Sequence, residues 1–120
     1  MASAQRVEKP WGHEIIWART DRYVGKLLHI RQGHKLSLQY HHRKDETIYL
    51  QTGRLLFVVD EGAGLKEQEM MPGDAFHIRP MMKHRMVALT DCDVFEVSTP
   101  ELDDVVRLED AYGRAGTSTP

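Results

Sequence analysis

Residues 36–53, LSLQYHHRKDETIYLQTG, decide how this chain is to be read. Apolar and polar residues alternate through Leu36, Leu38 and Tyr40, and the alternation resumes through Ile48 and Leu50. The intervening HRKD (42–45) and the closing Gly53 offer the chemistry of chain reversal. Period-two patterning broken by turn residues specifies half-buried strands. Because residues two apart on a strand share a face, Gln39 and His41 project together and Tyr40 points the other way. An antiparallel return after HRKD would set Glu46 opposite that pair.

The same rhythm extends in both directions. Strands are predicted at 13–18, 22–31, 35–41, 46–51, 54–60, 65–70, 74–79, 84–90 and 93–99. They are separated by RQGH, HRKD, QTGR, DEGAG, MPGD, RPMMK and TDCD, so a turn falls about every ten residues. No crossover helix fits between them, and the expectation is an all-β antiparallel sandwich or closed barrel. Residues 101–114, ELDDVVRLEDAYGR, place apolar side chains at 102, 105, 106 and 108, which suits a short helix or an irregular edge strand. They are expected to form a C-terminal arm closing over the barrel or docking on a neighbour. Residues 1–114 are read as a single domain and 115–120 as a flexible tail.

Composition narrows the function. The 120 residues carry 16 basic and 18 acidic side chains, a formal charge of -2, which gives no global attraction for nucleic acid or an acidic membrane. The one cysteine, Cys92, cannot form an internal disulfide or a thiolate metal site. No run of about 18 apolar residues is present, and the N-terminal MASAQRVEKPWGHE contains no signal-length apolar segment. A soluble, cytoplasmic protein acting on a small molecule is expected.

Four residues then stand out. Gln39, His41 and Glu46 lie around one turn, and His84 opens a strand after RPMMK, so two strand-end clusters could meet at one mouth. Two imidazoles, an amide oxygen and a carboxylate suit a divalent ion, with zinc as the first expectation and iron, manganese or nickel as alternatives. Only Glu46 is anionic, so a bound ion would keep positive charge for a substrate oxygen. Solvated strand ends would account for the same residues, and spacing alone leaves both readings open.

These residues resemble the first motif of the cupin superfamily, which runs Gly, five residues, His, one, His, three or four, Glu, six, Gly. Gly33, Gln39, His41, Glu46 and Gly53 fall at those spacings, with Gln in place of the first His. The second motif is degenerate: Gly73 and His84 match, while Arg79, Met81 and Ala88 stand where it has Pro, Gly and Asn. The glutamine, with VEKPWGHE (7–14) and DDVVRLEDAYGR (103–114), is similar to the mannose-6-phosphate isomerase branch, including the cupin domain fused to mannose-1-phosphate guanylyltransferases. Ile48 and Lys44 replace that branch's usual tryptophan and arginine.

The resemblance implies a cupin jelly-roll barrel with N- and C-terminal arms, metal ligation by Gln39, His41, Glu46 and His84, and isomerisation of a sugar or sugar phosphate through an enediol. Candidate proton carriers are His77, Glu96 and Lys44. Candidate substrate cations are Arg43, Arg79, Lys83 and Arg85. A homodimer paired through the arms is expected. The alternatives are another metal-dependent cupin reaction (epimerase, lyase, decarboxylase or dioxygenase) or a non-catalytic sugar-binding module. Trp11 and Trp17 are expected to pack the N-terminal arm, and the Cys92 thiol is expected to be inert.

Overall fold

The structure is a computed structural model that describes Met1 and residues 3–117. Its twelve strands are β1 (Gln5–Lys9), β2 (Gly12–Arg19), β3 (Val24–Ile30), β4 (Leu38–Tyr40), β5 (Glu46–Thr52) and β6 (Leu55–Asp60), then β7 (Leu65–Met70), β8 (Ala75–Ile78), β9 (His84–Ala88), β10 (Cys92–Ser98), β11 (Val106–Glu109) and β12 (Gly116–Thr117). They form two six-stranded sheets, ordered β1-β2-β3-β10-β5-β8 and β12-β11-β4-β9-β6-β7. Every pairing within them is antiparallel. The all-β jelly roll expected from the sequence is present as two facing sheets, and no ladder among the described residues joins them into a fully closed barrel. No helix among the described residues is long and apolar enough to cross a membrane.

The core lies between the sheets and follows from the alternation. Leu28, Ile30, Ile48, Leu50 and Val94 point in from one sheet and meet Leu55, Phe57, Val59 and Met86 from the other. Each buried aliphatic or aromatic side chain contributes on the order of 1.5–3 kcal/mol through loss of contact with water. Gly53 makes the tight passage from β5 to β6: its φ is 93°, and a Cβ there would sit 2.2 Å from the Asp91 carbonyl oxygen. Only glycine fits both constraints.

The nine strands read from the sequence all exist, with ends shifted by a few residues, as local patterning determines type better than boundary. β1 escaped notice because QRVEK shows little apolar alternation; it is an edge strand stabilised by its ladder to β2. Residues 101–114 resolve in favour of strand: β11 pairs with β4, and Val105 and Arg107 turn inward. The expected loose tail contributes β12, whose Gly116 and Thr117 face Arg107 and Val106, while 118–120 lie outside the described residues. Trp11 is buried in the core, but Trp17 is 54% exposed on the outer face, where its ring covers Gly25. Cys92 is buried, and burial pushes its thiol up, away from the reactive thiolate.

A candidate metal centre and its cleft

The turn HRKD does not return β5 beside β4. β4 lies between β11 and β9 in one sheet, whereas β5 lies between β10 and β8 in the other. Glu46 therefore meets His41 across the sandwich, and the expected side-by-side hairpin is replaced by a crossing between layers. Within its own sheet, Gln39 on β4 is the ladder partner of His84 on β9. A crossing of this kind needs an anchored loop, and Asp104 supplies the anchor. Its carboxylate accepts the backbone N–H groups of His42, Arg43 and Lys44 at 2.9, 2.6 and 2.9 Å. Burial opposes its ionisation, but these three donors bring its pKa down to about 2.

The three ligand candidates of this cluster converge. Nε2 of His41 and Nε2 of His84 each lie 3.3 Å from Glu46 Oε1, and all three side chains are buried. The other nitrogen of each ring is committed: His41 Nδ1 donates to the Asp104 carbonyl at 2.6 Å, and His84 Nδ1 donates to the Met82 carbonyl at 2.9 Å. With the N–H on Nδ1, each Nε2 presents a lone pair. Two imidazole lone pairs and a carboxylate oxygen thus face one another with no polar hydrogen among them, and both Nε2 atoms and Glu46 Oε1 lack a hydrogen-bond partner. Buried acceptors arranged in this way are costly unless a cation sits between them. His41, Glu46 and His84 fit a divalent metal ion, with both histidines oriented by backbone carbonyls as metal-binding imidazoles are.

Glu46 remains ionised. Burial alone would push its carboxyl up, but the Lys44 ammonium beside it outweighs burial and holds it well below the usual carboxylate range. Lys44 Nζ lies 3.1 Å from Glu46 Oε2 and 3.5 Å from Glu96 Oε2. Burial works against the Lys44 charge, yet Glu96 and Glu46 raise its pKa and keep it an ammonium. Glu96 is pushed up, first by burial and then by Glu46.

Beside the centre runs a cleft, and Gln39, His41, Lys44 and Glu96 line it. Gln39 Oε1 accepts from Ser37 Oγ at 2.8 Å. Further along, Lys26 Nζ lies 3.3 Å and Lys9 Nζ 3.8 Å from Glu14 Oε1. Arg107 and Arg114 also line the cleft.

The remaining sequence candidates lie elsewhere. His77 is exposed and pairs with Asp45, away from the cleft. Arg43 is exposed in the anchored turn, and Arg79 and Lys83 line a separate shallow depression with Asp60 and Gly62. Arg85 donates to the Leu36 carbonyl and to Glu109. Each sits on the outward phase of its strand or in a turn, so proximity to His84 in sequence did not bring it inward. The cleft residues Lys9, Glu14, Lys26, Arg107 and Arg114 were not anticipated. A signal existed: Lys26 shares the phase of Val24, Leu28 and Ile30, Glu96 that of Cys92 and Val94, and Arg107 that of Val105. A charge in the apolar phase of a strand marks a polar interior.

Comparison with known proteins agrees with this geometry. The chain is 31% identical over 113 residues to mannose-1-phosphate guanylyltransferase of Escherichia coli (strain K12), a match covering 92% of this chain and 23% of that one. It therefore spans about a quarter of the curated relatives it matches. Among solved structures, KdgF from Halomonas sp. superposes with TM-score 0.71 at 26% identity, covering 83% of this chain and 89% of the other. A sugar phosphate isomerase of the cupin superfamily from Silicibacter pomeroyi superposes with TM-score 0.66 at 24% identity, over 79% and 64% of the two chains, which bears on the fold alone. Residues 26–98 match the family described as Cupin domain, and the chain belongs to that family.

Proposed function

We propose that this protein is a metal-dependent isomerase of a sugar or sugar phosphate. The observation that carries the reading is the convergence of buried, hydrogen-free acceptor atoms from His41, Glu46 and His84 beside a polar cleft lined by Gln39, Lys44 and Glu96. Gln39, His41, Glu46 and His84 would hold one divalent ion, which when bound supplies Lewis-acid stabilisation of negative charge on neighbouring substrate oxygens. The protein's own residues do the rest. Asp104 and Met82, through their carbonyls, keep both imidazoles in the ligating tautomer. Lys44 holds Glu46 Oε2 and leaves Oε1 to the centre. Glu96, on the cleft wall, takes a proton from one substrate carbon and returns it to the adjacent carbon, while the hydroxyl proton passes between the two oxygens those carbons bear, so aldose and ketose interconvert with no net gain or loss of protons or electrons. The relative from Escherichia coli is named for a mannose phosphate, which favours a sugar phosphate as the substrate.

The zinc-loaded protein should interconvert mannose 6-phosphate and fructose 6-phosphate. Glu96→Gln should lose at least a hundredfold in kcat while retaining its metal. A fully metal-loaded protein that converts no aldose or ketose, phosphorylated or free, would overturn the reading.

A further inference from the structure

The outer face of the first sheet holds a second group of imidazoles. Glu8 on β1, His13 on β2, His29 on β3, Asp93 on β10 and Thr52 on β5 are successive ladder partners, so they form one row across five strands. Residues opposite each other in a ladder share a face. Their chain neighbours Glu14, Leu28, Ile30 and Val94 are buried on the inner side, so His13, His29 and Asp93 face away from the His41/Glu46/His84 centre.

Both ends of the row are tied. Glu8 Oε1 accepts from Arg6 Nε at 2.6 Å. Asp93 is used at both oxygens: Oδ1 lies 2.7 Å from His29 Nδ1, and Oδ2 accepts from Thr52 Oγ1 at 3.2 Å. The carboxylate thus keeps the His29 N–H on Nδ1 and leaves a lone pair on Nε2. The same device operates inside, where the carbonyls of Asp104 and Met82 hold His41 and His84 in that tautomer. The His13 ring stacks on His29 with centroids 5.1 Å apart and planes at 26°, and among the described residues neither of its nitrogens has a hydrogen-bond partner. Burial, then Arg6 and His29, lower the His13 pKa and favour the neutral ring.

Two neighbouring imidazole lone pairs are therefore offered to solvent, and the side chains of His29 and Asp93 are 31% and 37% exposed. Two nitrogens completed by water oxygens make a tetragonal set, which suits copper(II) better than zinc, whose structural sites take four protein ligands. An ion about 2 Å from each nitrogen needs them about 3–3.5 Å apart. Rings on an outer sheet face can hinge from the stack to that spacing.

We propose that His13 and His29 form a copper(II) site on the outer face of the sheet, separate from the interior centre, with Asp93 as the positioning residue that fixes the ligating tautomer of His29. The ion joins β2 to β3 as a cross-strand chelate. The site does not depend on the isomerase reading.

Copper(II) titrated into the zinc-loaded full chain tests it, with both metals counted by atomic absorption after dialysis and the copper environment read by EPR. One copper should be taken up with the zinc retained, and its spectrum should be tetragonal with coupling to two nitrogens. His13→Gln and His29→Gln should each weaken copper binding at least tenfold and leave the zinc content unchanged. Asp93→Asn should weaken it at least threefold with two nitrogens still coupled, which separates positioning from ligation. All three changes lie on the outer face and leave the core side chains in place. Copper taken up only in exchange for zinc, or bound as tightly by His13→Gln as by the wild type, overturns the site. A protein that holds no zinc yet binds copper through these two histidines overturns the interior centre alone and supports the outer site.

Discussion

The backbone carbonyl of Asp104 accepts the Nδ1–H of His41 at 2.6 Å across 63 residues of sequence, and its carboxylate fastens the turn that follows His41. One residue of the C-terminal arm thus sets both the tautomer of a ligand and the path by which the chain crosses between sheets.

Asp104→Asn should lower stability by about 1–2 kcal/mol, because a carboxylate accepting three backbone N–H groups is replaced by a neutral amide. The pH dependence has a definite sign. The folded pKa, about 2, lies below the ordinary 3.8, so the stabilisation is present above about pH 4 and is lost as pH falls toward 2. Urea unfolding of both proteins across that range should show their difference shrinking as the solution is acidified; a constant difference would contradict the assignment.

Metal removal should destabilise the native protein. An ion bound to the folded state and not to the unfolded chain contributes about 2.7 kcal/mol when present at a hundredfold excess over its Kd. EDTA should therefore lower the Tm of the zinc-loaded wild type and leave that of His84→Ala unchanged. Equal responses in the two would remove His84 from the ligand set.

Lys44 bridges two buried carboxylates, so Lys44→Met should cost about 3–5 kcal/mol by leaving them uncompensated. Adding Glu96→Gln should recover part of that loss, giving a coupling of about 1 kcal/mol or more in a double-mutant cycle. Additive effects by chemical denaturation would mean that Lys44 does not serve Glu96.

Met81 takes φ 68°, a left-handed conformation that non-glycine residues rarely adopt, while its N–H donates to the His41 carbonyl at 2.6 Å. It stands where the second cupin motif has glycine, so the backbone keeps the motif's shape after the residue has changed. Its side chain is exposed, so little packing is at stake. Met81→Gly should raise stability by up to about 1 kcal/mol and Met81→Val should lower it by a similar amount, read from thermal melts.

Much of this was legible in the chain. Period two in RLLFVVD, KLLHI and DVFEVS fixed those strands and their inward faces because side-chain alternation is a local property of extended backbone. The spacing pointed to Gln39, His41, Glu46 and His84, and of these the fold brings the side chains of His41, Glu46 and His84 together. Sequence neighbourhood to His84 did not bring Arg79, Lys83 and Arg85 to the cleft wall, since a strand sends consecutive residues to opposite faces and a turn sends them to solvent.

By itself, then, the sequence determined that this is an all-β chain, which residues alternate inward, and which atoms are available as ligands. Only the tertiary structure decided that β4 and β5 belong to different sheets, that His41 meets Glu46 across the core, and that Lys9, Arg107 and Arg114 share one cleft with them. The physical reason is range: alternation is set by each residue's own backbone geometry, whereas the pairing of β1 with β2 and of β11 with β4 is set by burial of the whole core, which no short stretch encodes.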